Sequence, residues 1–128
     1  MATMSGTDAE RGDVYRVDRD ATLDRDPKQG PRPMVCVAEQ PHDDLAWKAM
    51  ARTTSAFDRA LDLHSPADPA TGLTAEGWWS YRFLRSVKKR WTGHADICPY
   101  LGTLQDPVKS EVLRHYMSRP KATRGNGA

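Results

Sequence analysis

Arginines and hydroxyls collect at the two ends of one short apolar stretch, "RPMVCVAEQPHDDLAWKAMARTTS", residues 32 to 55. Arg32 stands at its entrance, and Arg52, Thr53 and Thr54 stand at its exit. If the stretch is two strands folded about "EQPHDD", the start of the first lies beside the end of the second. Arg32 would then meet Arg52, Thr53 and Thr54 at one rim. Guanidinium forks match phosphate oxygens bidentately, and hydroxyls add further donors. The chemistry on offer is phosphate binding. The plainer alternative is that each arginine is a solvated strand end.

A second group lies in "WWSYRFLRSVKKRW". Arg82, Arg85, Lys88, Lys89 and Arg90 interleave with Trp78, Trp79, Tyr81, Phe83 and Trp91. Bases stack on aromatics while cations hold phosphates, so the pattern suits single-stranded nucleic acid. The alternative is an aromatic core with a cationic rim. Strand alternation over residues 80 to 86 puts Arg82 with Ser80 and Leu84, and Tyr81, Phe83 and Arg85 on the other face.

Other chemistries find little support. His42, His64, His94 and His115 are scattered, and no serine or cysteine sits in a nucleophile signature. There is no HExxH, CxxC or glycine-rich phosphate loop, so neither a metal nor a cofactor is expected. Cys36, in an apolar run, reads as a small core residue. The formal net charge of +2 is mild, so any nucleic-acid contact must come from a local patch.

These residues need a frame. The 128 residues allow one ordinary domain, with 38% hydrophobic residues to build a modest core. Residues 1 to 11 read as a disordered segment, 12 to 119 as the domain and 120 to 128 as a flexible tail. "VYRVD" has strand propensity, "PMVCVA" is a strand, and "LAWKAMARTT" and "WWSYRFLRSV" are two more. The charged stretch 18 to 31 reads as a loop too polar for the core, and 56 to 77 as a long connection with room for short strand pieces. Asp106 can cap a helix with Pro107 at its first position. Val108, Val112, Leu113, Tyr116 and Met117 then share a face, and Pro120 stops the helix. The expected fold is a small, curled, mainly β domain with a C-terminal helix. No run of apolar residues is long enough for a membrane helix or a signal core, so a cytoplasmic protein is expected.

Four segments, in order, resemble the MazF/PemK toxins, endoribonucleases of type II toxin–antitoxin systems. "GDVYRVD" is similar to the family's opening strand and "RPMVCVA" to its Arg-Pro strand. "MARTTS" is similar to its Thr-[ST] strand end. "GLTAEGWWSYRFLRSVKKRW" with "YLGTLQDPVKSEV" resembles its final strands and helix. The resemblance spans about residues 12 to 117.

It implies an SH3-like β-barrel with a C-terminal α-helix, of the kind that the CcdB toxins also resemble, and a homodimer. It also implies metal-independent cleavage of single-stranded RNA by attack of the RNA's own 2′-hydroxyl, growth inhibition, and a separate antitoxin partner. The catalytic arginine falls on Arg32 and the threonine on Thr53. An arginine is a poor proton acceptor, so Arg32 is expected to stabilise charge while Thr53 orients a phosphoryl oxygen. Lys28, Gln29, Arg52, Thr54, Arg82 and Arg85 are the expected RNA contacts. Three features depart from the family pattern: "DPKQGP" replaces its Gly-x-Glu-Gln loop, Ala51 its proline and Arg52 its apolar residue. The alternatives are a non-catalytic interaction module, such as a gyrase poison on the same fold, or a homologue that only binds RNA.

Overall fold

In a computed structural model of the chain, residues 9–23, 30–40, 43–55 and 61–118 are described, without the side chains of 43 and 44. The expected N-terminal and C-terminal disorder falls largely on residues outside these. The described chain forms β1 (Asp13–Val17), β2 (Arg32–Gln40), β3 (Asp43–Thr53), β4 (Asp62–Ser65), β5 (Gly77–Lys88), β6 (Tyr100–Thr103) and α1 (Val108–Ser118). All strand pairings are antiparallel, in the order β4-β5-β3-β2-β1-β6.

Alternation along the strands supplies two cores, one on each face of the sheet. Tyr15, Val17, Met34, Cys36, Trp47, Ala49, Ala51 and Val87 bury one face, with Cys98, Phe83, Trp91 and Ile97 packed against them. Val14, Val35, Val37, Met50 and Trp79 bury the other, together with Leu73, Leu104 and Val112 of α1. Each fully buried side chain of this size contributes about 1.5–3 kcal/mol. Cys36 is buried as expected, and both cysteines are free thiols. Burial pushes the Cys98 thiol up to about 12 and raises Cys36 as well.

The sheet is curled but not closed. Its edges are β4 and β6, and among the described residues no pairing joins them. The chain leaving β1 does reach back across. Thr22 bridges Val87 of β5, and Leu23 N donates to Ser86 O at 2.9 Å. Ala21 and Thr22 are therefore fully buried, against the expectation that residues 18 to 31 are too polar for the core. The Thr22 hydroxyl is satisfied locally by Arg19 O at 2.7 Å, which removes the cost of burying it.

The opening "GDVY" has a structural reason. Gly12 takes φ +96°, a conformation that L side chains rarely adopt. That turn lets Gly12 N donate to Cys36 O and its carbonyl accept from Leu104 N. The buried Asp13 carboxylate accepts from Glu10 N and from the Thr103 hydroxyl, at 2.8 and 2.7 Å. Two elements had no assigned bounds beforehand. β4 lies inside the expected connection 56 to 77, and β6 is only four residues long. Both are too short to show a period.

The helix starts at Val108, one residue beyond Pro107. Val108, Val112, Leu113 and Tyr116 pack on the sheet, whereas Met117 is exposed. Asp106 accepts from both the backbone N–H and the hydroxyl of Ser110. These bonds hold its carboxyl below the ordinary aspartate range of about 3.9. A depressed acid contributes stability that is present above its unfolded pKa and lost as pH falls through the folded one. Asp106→Ala should therefore lower the melting temperature at neutral pH, with the difference from wild type narrowing in acid. Thermal melts from pH 7 downward check this; a difference independent of pH would sink it.

Candidate functional site

The pairing of β2 with β3 places Met34 opposite Ala51. Continued by two residues on each strand, it sets Arg32 opposite Thr53, on one face of the sheet. Directly opposed residues have Cβ atoms about 4.5–5.5 Å apart. By that continuation the expected arginine and threonine fall at adjacent positions of neighbouring strands. Among the described residues, the Thr53 hydroxyl has only long local partners, Ser55 O and Ser55 N, both at 3.4 Å. The Arg32 backbone pairs with Val17; among the described residues its side chain makes no hydrogen bond or ion pair, and the guanidinium lies 5.2 Å from the centroid of the Phe83 ring.

Phe83 gathers two further arginines. Arg82 and Arg85 lie 4.7 and 5.9 Å from the same centroid. Three cations on one ring are possible because its face is electron-rich. The cause in the backbone is a bulge. Opposite the consecutive residues Met50 and Ala51, β5 offers Leu84 and Ser80, so Tyr81, Arg82 and Phe83 stand outside the ladder. This corrects the expected alternation of residues 80 to 86. Ser80 and Leu84 point to opposite faces, following Ala51 and Met50. Tyr81 stacks on Tyr116 of α1 at 5.5 Å, while Phe83 packs on the other core.

Arg52 and Thr54 do not join Arg32. One residue along a strand reverses the face, so Arg52 lies with Trp79, 5.2 Å from that ring. Thr54 borders a small cavity of about 190 Å³ on the same side, with Pro33, Arg52 and residues 72–76. Arg52 is only 8% exposed. Its Nη2 faces the carbonyls of Ser65 and Pro66 at 3.1 Å and of Ala75 at 2.9 Å. Burial lowers its pKa, opposed by the nearby Asp68. Arg52 is a pin that fastens residues 65–75 to β3. Gly77 belongs to the same joint: a Cβ there would sit 2.8 Å from Arg52 Nε and 2.9 Å from Thr53 O.

Arg82 is also engaged internally. Its Nε and Nη2 hold both oxygens of Asp62, at 3.1 and 3.0 Å. Asp62 is buried and accepts a further short bond from Ser80. Arg85 Nη1 donates to Leu84 O at 3.1 Å. Lys28 and Gln29, the remaining expected contacts, lie outside the described residues.

The register also reveals residues that sequence patterning passed over. Thr53 pairs with Trp78, and Trp78 with His64. Arg32, Thr53, Trp78 and His64 therefore form one row across four strands on one face. His64 Nε2 meets Glu76 Oε1 at 2.8 Å. No signal in the sequence linked His64 to Thr53, because the short strand pieces allowed within 56 to 77 had neither bounds nor register.

Chemically, the row offers an anion site between a guanidinium and a hydroxyl, in a positive field, beside an aromatic surface. Among the described residues no group of three His, Cys, Asp or Glu side chains could hold a metal ion. No helix there is long and apolar enough to cross a membrane. No protein-family model matches the chain, and no curated protein matches it.

The two arginines at this end should behave differently on truncation. Arg52→Ala strands buried carbonyls and should cost about 2–4 kcal/mol of unfolding free energy. Arg32→Ala, at a rim, should cost less than about 1 kcal/mol. Urea denaturation of both variants measures this, and equal losses would contradict the assignment of Arg52 as the pin.

Proposed function

We propose that this chain is an endoribonuclease of the MazF/PemK kind, the toxin of a type II toxin–antitoxin system on an SH3-like barrel. The observation that carries the reading is the Met34–Ala51 pairing of β2 with β3, whose continuation sets Arg32 against Thr53, with Arg32 beside the arginine-ringed Phe83. The curled antiparallel sheet with a C-terminal helix is compatible with that fold.

The reaction is a transesterification on single-stranded RNA. The 2′-hydroxyl oxygen bonds to the adjacent phosphorus as the bond from phosphorus to the 5′-oxygen breaks. The 2′-hydroxyl proton leaves to solvent, and the departing 5′-oxygen takes one up. The products are a 2′,3′-cyclic phosphate and a 5′-hydroxyl, and no metal is required. Charge that builds on the non-bridging oxygens is held by the Arg32 fork, and the Thr53 hydroxyl orients one of them. Arg82 and Arg85 act through the field they create around Phe83. Arg52 serves the site by holding the neighbouring chain in place. The partners in this reading are RNA, an antitoxin protein and a second copy of the chain. Leu45, 72% exposed, and Met117, 68% exposed, supply apolar surface for protein contact.

One observation favours a second reading, a non-catalytic interaction module on the same fold. Arg52 and Arg82 are spent on internal carbonyl and carboxylate groups, which leaves fewer arginine donors directed at a ligand.

Single-turnover cleavage of single-stranded RNA separates the two. Arg32→Ala and Thr53→Ala should each slow cleavage by roughly 100- to 1000-fold, the loss expected for one donor to a developing oxyanion, with circular dichroism unchanged. Wild-type activity should persist in excess EDTA. Cleavage at the wild-type rate by Arg32→Ala would select the interaction module. Activity abolished by EDTA and restored by magnesium would refute the mechanism.

A further inference from the structure

We propose that Trp78, His64 and Glu76 form a nucleobase subsite beside the Arg32–Thr53 pair, selective for a base that carries an amino group on its edge. Its place rests on the ribonuclease reading, but its selectivity follows from its own chemistry.

Trp78 is paired directly with Thr53 and His64 directly with Trp78, so all three project from one face. Neighbouring strands lie about 4.8 Å apart. A phosphate held at Thr53 therefore has the indole one strand away and the imidazole two. The half-buried indole can take the face of a base, because every base has a π-face. Stacking of that kind does not discriminate. The edge of the site does.

His64 stands edge-on to Trp78, with ring centroids 5.5 Å apart and planes at 67°. It holds Glu76 by Oε1 at 2.8 Å, which leaves the carboxylate's other oxygen as an acceptor. Both side chains are open to solvent, at 53% and 65% exposure. An ionised carboxylate accepts hydrogen bonds and donates none. It can take the amino group of cytosine, and it repels the carbonyl that uracil presents at the same ring position.

The loop that carries Glu76 is fixed from beneath. Arg52 Nη2 holds the carbonyl of Ala75, the preceding residue, and those of Ser65 and Pro66 just after His64. The acceptor is thus placed before a ligand arrives, which limits the ordering cost of binding. A solvent-exposed histidine–glutamate pair contributes little to stability, so the pair can be altered without unfolding the protein.

The test uses two short single-stranded oligonucleotides with 2′-deoxy sugars throughout, one of cytosine and one of uracil, which the proposed reaction cannot cleave. Affinity is measured by titration, and the indole N–H resonance of Trp78, assigned with Trp78→Phe, is followed by NMR. The cytosine strand should bind about fivefold or more tighter, as one charge-assisted hydrogen bond allows, and should shift the Trp78 resonance. Glu76→Gln, whose amide both donates and accepts, should bring the two affinities within roughly twofold. Equal affinities in the wild type, an unmoved Trp78 resonance, a preference that survives Glu76→Gln, or no binding would each overturn the subsite. RNA cleavage with a silent Trp78 leaves the nuclease reading standing and removes the subsite. Selective binding by a protein that cleaves no RNA does the reverse.

Discussion

The guanidinium of Arg52, buried between the sheet and the chain that loops over it, is the interaction on which this end of the molecule depends. It lies against Trp79 and faces three carbonyls from two separated stretches, Ser65–Pro66 and Ala75. Those carbonyls leave water on folding and need donors. A guanidinium supplies several donors from one plane and keeps its charge even when burial lowers its pKa. β4 and the start of β5 are thereby held beside β3. The row from Arg32 through Thr53 and Trp78 to His64 exists only because those strands are in register.

The opposite face is organised by geometry of a different kind. A bulge in β5 releases Tyr81, Arg82 and Phe83 from the ladder. The two aromatic rings then go to different cores, Tyr81 to Tyr116 on α1 and Phe83 to the side of Ala49 and Ala51. Small residues at Ala49 and Ala51 suit a ring laid over the sheet. Once Phe83 is there, Arg32, Arg82 and Arg85 all come within 6 Å of its centroid. Repulsion among them is moderated by Asp62, whose buried carboxylate takes two bonds from Arg82.

A chain of mild net charge thus gathers three arginines around one ring, one of them paired with Asp62. It does so by tertiary folding and not by a run of basic residues. The run "KKRW" lies elsewhere: Lys89 bonds Glu39 and lies 5.5 Å from the Trp47 ring, and Arg90 lies 5.0 Å from Trp91.

The long strands β2, β3 and β5, the helix and the burial of Cys36 were legible in the sequence, because apolar alternation and helical spacing are local properties. The hairpin of β2 and β3, whose register continues toward Arg32 and Thr53, was legible too. The rest was not, for three physical reasons. A four-residue strand carries no period, so neither β4 nor β6 had bounds or a register, and the place of His64 went with them. A bulge shifts the phase of alternation by means of contacts far away in the chain, so the faces of residues 80 to 86 came out wrong. And a residue type does not say which face it takes: Arg52 sits one residue from Thr53, yet the pleat sends it into the interior. The sequence by itself determined which cationic and hydroxyl side chains stand at the strand ends; only the tertiary structure decided which of them share a face and which hold the fold together, because those choices are made by strand register and burial across the sheet.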